Sequence, residues 1–250
     1  MREQCPSCGS NTALGHTKCF KCGYRSKYQI FSFKDPEYID ETLTKPVGVC
    51  FKLKDFTTDA LRKLYSAFIF DDEIIQFKIG CIPDKNQIFI PAVDYQLNKV
   101  MWYTLRNLSS MPKYITEGNP SSYVIKYIKH DNTKLVITED HLSAMRVSKF
   151  ANVMCLSGTN MSNDIIKYIV EHYTDVIFWL DPDEAGVSAT FKNYKRLRGY
   201  IDKQASANLF SGGEPIKISC KYIDYHEYNQ DPKLYLDADI KDILQRGKTL

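Results

Sequence analysis

The hydrophobic pattern of the chain changes near residue 134. Before it, from residue 46 to about residue 119, helical and strand spacings are mixed. The stretch DFTTDALRKLYSAF places apolar residues at helical spacing behind a threonine N-cap candidate, which predicts a helix. The following QIFIPAVDYQLNKVMWYTLR predicts two strands around a turn at residues 96–98, and Pro91 favours an edge or a bulge for the first strand. This middle region is therefore predicted to be α+β.

From residue 134 onward, short apolar strands alternate with amphipathic helical segments. The strands are predicted at 135–138, 153–156, 176–180 and 218–223. The helices are predicted in HLSAMRVSKF, in SNDIIKYIVEHY and in a longer segment that opens at Glu184. Repeats of this length are typical of a Rossmann-like α/β domain with a mainly parallel sheet and helices on both faces. In such sheets, ligands bind at the carboxyl ends of the strands.

Acidic residues follow two of these strands. Glu139 comes directly after the first strand, and Asp181 and Asp183 come directly after the third. Carboxylates that converge at one edge of a sheet suit the hard, oxygen-seeking ions Mg²⁺ and Mn²⁺, and a pair of such ions can activate a 3′-hydroxyl and neutralise a leaving pyrophosphate. Helix capping explains one of the two aspartates equally well, but not acids at successive strand ends. The pattern favours a catalytic metal site.

Four cysteines lie close together near the start of the chain. They form two C-x2-C pairs, Cys5 with Cys8 and Cys19 with Cys22, and each pair is followed by a glycine. This spacing predicts a zinc ribbon in which four thiolates bind one Zn²⁺. Paired disulfides are the alternative, and a reducing compartment disfavours them. The other four cysteines lie singly in apolar runs and are predicted to be buried.

Composition narrows the class of protein. The chain has 250 residues, of which 44% are hydrophobic, and 33 basic against 30 acidic residues give a net charge of +3. It contains no apolar run of the roughly 18–20 residues that a membrane span needs, and no signal peptide is recognisable at its start. We therefore expect a cytoplasmic, globular protein with no membrane partner. If it binds nucleic acid, local basic patches must meet the phosphates.

Two segments combine basic residues with features that suit nucleic acid. The hairpin region interleaves aromatic side chains, which can stack bases, with Arg106 and Lys113. An ordinary half-buried hairpin is the more frequent explanation of such a stretch. The predicted helix after Glu184 carries Lys192, Lys195 and Arg196, which suit a phosphate backbone or, equally, a solvated helix face.

Three segments carry a resemblance to a known family. VITED (136–140), LSGTNMS (156–162) and LDPDEAG (180–186) resemble the TOPRIM domain, with its glutamate after a strand, its Gly-Thr loop and its Asp-x-Asp turn into a helix. A four-cysteine ribbon, a mixed segment and then TOPRIM is the order found in DNA primases of phage and bacterial type. The closing QDPKLYLDADIKDIL also resembles the tail of phage primase domains.

The resemblance implies roles for individual residues. Glu139 handles the 3′-hydroxyl or a metal ion, and Asp181 and Asp183 are metal ligands. Five further positions follow from it: an adjacent loop at Gly158 and Thr159, an outer acid at Asp231, and phosphate-binding Arg106 and Lys113. One departure stands out, because the family usually has Glu-Gly-x-x-Asp where this chain has Glu139, Asp140 and, in place of the second acid, Ser143. Asp140 is the candidate to compensate.

The predicted organisation is a zinc ribbon at 1–30, a linker at 31–45, an amino-terminal primase subdomain at 46–130 and a TOPRIM domain with a C-terminal tail at 131–250. The function implied is synthesis of short RNA primers from ribonucleotides on single-stranded DNA. Because the chain has no P-loop motif, it is expected to work with a separate replicative helicase or polymerase in the cytoplasm of a bacterium or of a phage-infected cell. The alternatives are a non-catalytic DNA-binding recombination mediator and a TOPRIM nuclease.

Overall fold

The computed structural model describes four short strands within residues 2–38 and, beyond them, residues 43–94, 97–120, 124–128, 130, 132–211 and 217–247. The chain divides into two compact units, Met1–Asp35 and Pro36–Leu250. In the first unit, an antiparallel sheet runs in the order β1 (Arg2–Glu3), β2 (Ala13–Leu14), β3 (Lys18–Cys19). Cys19 ends β3, whereas Cys5, Cys8 and Cys22 lie outside the described residues. No helix in the described ranges is long and apolar enough to cross a bilayer.

The second unit begins with a mainly antiparallel sheet and two helices. The helices are α1 (Thr58–Tyr65) and α2 (Asp71–Gln76). The strands are β4 (Glu37–Tyr38), β5 (Gly80–Ile82), β6 (Gln87–Asp94), β7 (Lys99–Asn107) and β8 (Tyr114–Gly118). They lie in the order β4, β7, β6, β5, with β8 also paired to β7. The predicted helix and hairpin are both present, and Thr57 is the N-cap of α1, since its hydroxyl accepts a hydrogen bond from the Ala60 amide at 3.2 Å.

Pro91 lies inside β6 without breaking the sheet. The neighbouring β5 pairs only with residues 87–89 of β6, so β5 does not need the amide hydrogen that proline lacks. The pairing of β6 with β7 shifts register between Ala92 and Val93, directly after the proline. The expected bulge is therefore present at this point.

The sheet reaches into the segment predicted to be a linker. Glu37 and Tyr38 pair in parallel with Lys99 and Val100 of β7. Leu43 is 5% exposed and belongs to a hydrophobic cluster formed by residues of this sheet. The second compact unit accordingly starts at Pro36, ten residues before the predicted subdomain.

A second sheet carries the C-terminal half of the chain. Its strands are β9 (Ile125–Tyr127), β10 (Lys134–Thr138), β11 (Asn152–Cys155), β12 (Asp175–Phe178) and β13 (Ser219–Tyr222). They lie in the order β13, β12, β10, β11, β9, and all are parallel except β9 at the edge. The helices are α3 (His141–Val147), α4 (Asn163–His172), α5 (Glu184–Ser211) and α6 (Asp237–Arg246). The predicted mainly parallel α/β sheet is confirmed.

Helices cover this sheet on both faces. Along β10, Leu135 and Ile137 belong to a hydrophobic cluster that includes residues of α4 and α5. Val136, between them, belongs to a cluster that includes residues of α3 and α6. Because neighbouring residues of a strand point to opposite faces, the continuous apolar run of β10 is buried from both sides.

Candidate metal and nucleotide site

Two acidic side chains lie at the carboxyl ends of neighbouring parallel strands. Glu139 directly follows β10, and Asp181 lies three residues beyond β12, where the amide of Trp179 still donates to the carbonyl of Ile137 at 2.8 Å. The hydroxyl of Tyr225 accepts a hydrogen bond from the Leu180 amide at 3.3 Å and bonds to Thr190 at 2.7 Å. These contacts hold the strand exit that carries Asp181 beside the strand end that carries Glu139.

The negative charges of the Glu139 and Asp181 carboxylates are only partly offset by neighbouring groups. Glu139 Oε2 and Asp181 Oδ1 are buried, and neither has a hydrogen-bond partner within the described part of the chain. Burial, followed by the charge of Asp183, raises the pKa of Glu139. Burial and the charge of Asp140 raise the pKa of Asp181 to about 7. Desolvated carboxylates that repel one another favour a cation between them.

The donor set fits a hard divalent cation. Carboxylate oxygens are the ligands that Mg²⁺ and Mn²⁺ prefer, and two of these oxygens lack any other partner among the described residues. No three His, Cys, Asp or Glu side chains in the described ranges are already arranged as a ready-made set of metal ligands. Glu139 and Asp181 are the residues that would hold the ion, with Asp183 beside them.

Removing the charge of Asp181 is expected to stabilise the metal-free protein at alkaline pH. Its folded-state pKa of about 7 lies above the ordinary aspartate pKa of 3.8, so the folded state binds the proton more tightly than the unfolded state does. The ionised carboxylate therefore destabilises the fold fully above pH 7 and not at all below about pH 4. Solvent screens the charge of this partly exposed side chain and reduces the effect to about half of what the pKa difference alone would give. With chelator present, Asp181→Asn should raise the free energy of unfolding by on the order of 2 kcal/mol at pH 8.

Urea unfolding at pH 8 and at pH 4.5 measures this effect. The gain in the free energy of unfolding from Asp181→Asn should shrink strongly at the lower pH. Asp84→Asn, at an exposed acid distant in sequence from the site, is the control and should show no such change with pH. Equal stability of Asp181→Asn and the unsubstituted protein at pH 8 would show that the carboxylate is not destabilising.

Asp183 directly precedes helix α5 and caps it. Its carboxylate accepts a hydrogen bond from the Gly186 amide at 2.8 Å, and its carbonyl accepts from the Val187 amide at 2.9 Å. The capping role considered from the sequence is thus present at Asp183, whose side chain is exposed. Gly186 has no room for a side chain, because a Cβ there would lie 2.1 Å from the carbonyl oxygen of Asp181. The glycine lets the helix start directly against the strand exit.

The loop after β11 supports the backbone of Glu139. Gly158 donates its amide hydrogen to the Glu139 carbonyl at 3.2 Å, with φ of +147°, a value that favours glycine. The carbonyl of Thr159 accepts a hydrogen bond from the buried Asn193 side chain at 2.8 Å. The predicted Gly158–Thr159 loop therefore lies next to Glu139 and is tied to α5.

Asp140 caps α3 and binds a lysine that the sequence did not single out. Its carboxylate accepts hydrogen bonds from the amide of Leu142 at 2.8 Å, from the amide of Ser143 at 3.1 Å and from the Ser143 hydroxyl at 2.8 Å. The ammonium of Lys233 lies 2.8 Å from Asp140 and 2.6 Å from Asp231. Burial alone would raise the pKa of Asp140, but Lys233 and Ser143 outweigh it and the pKa is lowered.

Basic residues of α1 and of the sheet that contains β7 lie near Asp140. Arg106 on β7 is 7% exposed, donates a hydrogen bond to the Tyr114 hydroxyl and lies over the Tyr114 ring at 4.8 Å. The Lys113 ammonium lies 5.6 Å from the centroid of the same ring. Lys63 on α1 was not predicted. Its pKa is lowered by burial and then by the charges of Arg106, Lys233 and Lys113, so the four cations share one region.

The basic residues of α5 are engaged differently. Arg196 donates to the Met161 carbonyl and, at 2.9 Å, to the Asn163 side chain, so it secures the start of α4. Lys192 donates to the Asn160 side chain at 3.2 Å, and Lys195 is exposed. A phosphate-binding role for these three residues stays a prediction.

Comparison with known proteins supports the fold assignment. Residues 136–212 match the Toprim-like family Toprim_2. The crystal structure of the Aquifex aeolicus primase with its zinc-binding and RNA polymerase domains is similar at a TM-score of 0.54 and 15% identity, over 78% of this chain and 57% of that one. The E. coli primase catalytic core gives 0.56 and 13%, over 75% of this chain and 71% of that one.

A third structure, the DnaG primase catalytic domain bound to single-stranded DNA, gives a TM-score of 0.54 at 14% identity, over 78% of this chain and 72% of that one. No curated protein matches the chain in sequence. Identities this low show the fold alone. The chain therefore has a Toprim-like region at residues 136–212 within the fold of a primase catalytic core.

Proposed function

We propose that this protein is a DNA primase that synthesises short RNA primers on single-stranded DNA by metal-dependent nucleotidyl transfer. One observation carries the proposal: Glu139 and Asp181 each present a buried carboxylate oxygen, with no hydrogen-bond partner in the described part of the chain, at the ends of adjacent parallel strands of a Toprim-like region. Arg106, Lys113 and Lys63 lie near the acidic residues, where a triphosphate needs positive charge. Carboxylates beside cations suit a reaction that joins a hydroxyl to a phosphate.

The reaction forms a bond between the 3′-oxygen of one nucleotide and the α-phosphorus of the next, and it releases pyrophosphate. Glu139, Asp181 and Asp183 would hold a divalent ion, which would supply positive charge beside the reacting hydroxyl and the leaving pyrophosphate. Glu139, at the end of the strand next to the one that leads to Asp181, is suited to hold this ion or to accept the hydroxyl proton. Arg106 and Lys113 orient the triphosphate, and the Gly158–Thr159 loop keeps Glu139 in position.

The experiment that tests this function combines the full chain with single-stranded DNA, Mg²⁺ or Mn²⁺ and labelled ribonucleotides. We expect a ladder of short oligoribonucleotides that depends on both the template and the ion. A separate replicative helicase or polymerase is the proposed partner, and adding one should change the yield or length of the products.

A zinc ribbon formed by Cys5, Cys8, Cys19 and Cys22 is part of the proposal. The spacing of the two cysteine pairs supports it, and the similar Aquifex aeolicus structure includes a zinc-binding domain. We expect elemental analysis of protein purified without chelator to find one zinc ion per chain. Replacing Cys5 and Cys8 with Ser should remove it, whereas Cys50→Ser, at a half-buried free cysteine, should not. Absence of zinc from the unsubstituted protein would eliminate the ribbon.

A non-catalytic, DNA-binding mediator is the second candidate. Ser143 stands where the family usually has an acid, and Lys233 neutralises part of the acidic group, which together reduce the negative charge available to metal ions. This candidate predicts binding of single-stranded DNA without synthesis. A nuclease would instead shorten the DNA template in the same assay, so the state of the template and of the labelled products distinguishes all three functions.

A further inference from the structure

The Lys233 ammonium lies among three carboxylates. Lys233 is 9% exposed and belongs to a 3-10 turn, Pro232–Leu234. Its Nζ lies 2.6 Å from Asp231 Oδ2, 2.8 Å from Asp140 Oδ2 and 4.0 Å from Asp181 Oδ2. The ammonium thus occupies the kind of position, between carboxylate oxygens, that a metal ion would take.

The surroundings hold this lysine in place from two directions. The Ser143 hydroxyl donates to the same Asp140 oxygen that binds Lys233, at 2.8 Å. Just beyond the 3-10 turn, the carbonyl of Tyr235 accepts a hydrogen bond from Arg146 at 2.8 Å, and Arg146 also pairs with Asp237 at 2.6 Å. Arg146 is 1% exposed, so the chain after Lys233 is anchored in the interior.

An ammonium at this position competes with a divalent ion. A metal bound directly to Asp140 Oδ2 would lie roughly 2.0–2.6 Å from that oxygen and therefore within about 5 Å of the ammonium. Two positive centres so close in a partly buried site repel strongly, and moving the ammonium away would leave it desolvated without its partners. One ammonium therefore already offsets part of the negative charge of Asp140 and Asp231 and occupies the space between their carboxylates.

Two buried carboxylate oxygens of the site are not among those that Lys233 binds. Asp181 places Oδ2 toward Lys233, while its Oδ1 and the Oε2 of Glu139 have no hydrogen-bond partner within the described residues. We propose that Lys233 is a built-in cation that replaces one divalent ion, so that the site binds a single Mg²⁺ or Mn²⁺ through Glu139 and Asp181 where a pair was expected. The inference rests on the metal site of the proposed function.

Binding of Mn²⁺ to the full chain, measured by the electron paramagnetic resonance signal of the free ion, tests this directly. We expect one tight Mn²⁺ per chain. Lys233→Met keeps most of the length of the side chain and removes the ammonium, which leaves Asp140 and Asp231 free to bind a second ion, so two Mn²⁺ are expected. Lys149→Met, at another paired lysine whose ammonium lies 2.8 Å from Glu73, should retain one. Asp181→Asn in the unsubstituted background should bind none tightly.

Lys233→Arg is a second variant that tests the proposal if Lys233→Met does not fold. It keeps the charge, and the folded variant should still bind one ion. Two tight ions on the unsubstituted chain, or one ion on folded Lys233→Met, would overturn the proposal while leaving the primase function intact. One ion without primer synthesis would overturn the function alone, and no tight ion at all would remove the metal site on which both depend.

Discussion

Asp181→Asn, Asp183→Asn and Glu139→Gln should each reduce primer synthesis by roughly 100-fold or more while the protein stays folded. Each substitution keeps the size of the side chain and removes a charge that must be stabilised together with the ion in the transition state. Asn at position 183 can still accept the hydrogen bond from the Gly186 amide, so helix α5 keeps its cap. Rates of ribonucleotide incorporation, with circular dichroism of each variant, measure the effect.

The matched control is Glu184→Gln, next to Asp183 in the same turn. Glu184 is exposed and follows the proposed ligands directly, so its loss should change synthesis less than about two-fold. Near-complete synthesis by all three site variants would exclude the carboxylates from catalysis. The DNA-binding mediator would then be the better account.

Removal of residues 1–35 is expected to suppress initiation and to spare extension. Forming the first dinucleotide requires two small, mobile substrates to be aligned on the template, whereas extension starts from a paired primer. A covalently joined ribbon acts at a high effective concentration, so it can assist the first step without touching the carboxylates. We expect initiation from ribonucleotides to fall at least about 10-fold and extension of a supplied primer to remain measurable.

The residue at which the deletion ends matters for this test. Deletion through residue 35 leaves Glu37 and Tyr38 to pair with β7 and keeps Leu43 in its cluster, whereas deletion through residue 45 removes both. The full chain with Cys5 and Cys8 replaced by Ser is the second control, and it should show the same loss of initiation. If the 1–35 deletion initiates at the same template positions as efficiently as the full chain, the ribbon has no part in initiation.

The sheet that carries the site was predictable because its signals are local. A continuous apolar run predicts a strand buried on both faces, and β10 and β12 lie in the predicted strand regions. The turn of Asp181 to Gly186 was recognisable from its resemblance to the TOPRIM motif, and the structure gives the reason for its glycine, since a Cβ there would lie 2.1 Å from the Asp181 carbonyl oxygen. The alternating order of strands and helices then required parallel pairing, which placed Glu139 and Asp181 at one edge.

The contacts of Lys233, Lys63 and β4 could not be predicted from the sequence in the same way. Lys233 lies 93 residues after Asp140, and a lysine two positions after an aspartate carries no local signal of burial among acids. Lys63 looks like an ordinary exposed position of an amphipathic helix until α1 packs near Arg106. The two-residue strand Glu37–Tyr38 is too short to show any periodicity. Each depends on tertiary contacts that the sequence pattern does not encode locally.

The most direct test of the central claim is synthesis by the purified full chain on single-stranded DNA with labelled ribonucleotides. The account predicts short, alkali-sensitive products that require the template and Mg²⁺ or Mn²⁺ and that disappear with Asp181→Asn. If the protein binds the DNA stably but makes no such product at the same ion and nucleotide concentrations, the result contradicts the proposed primase function.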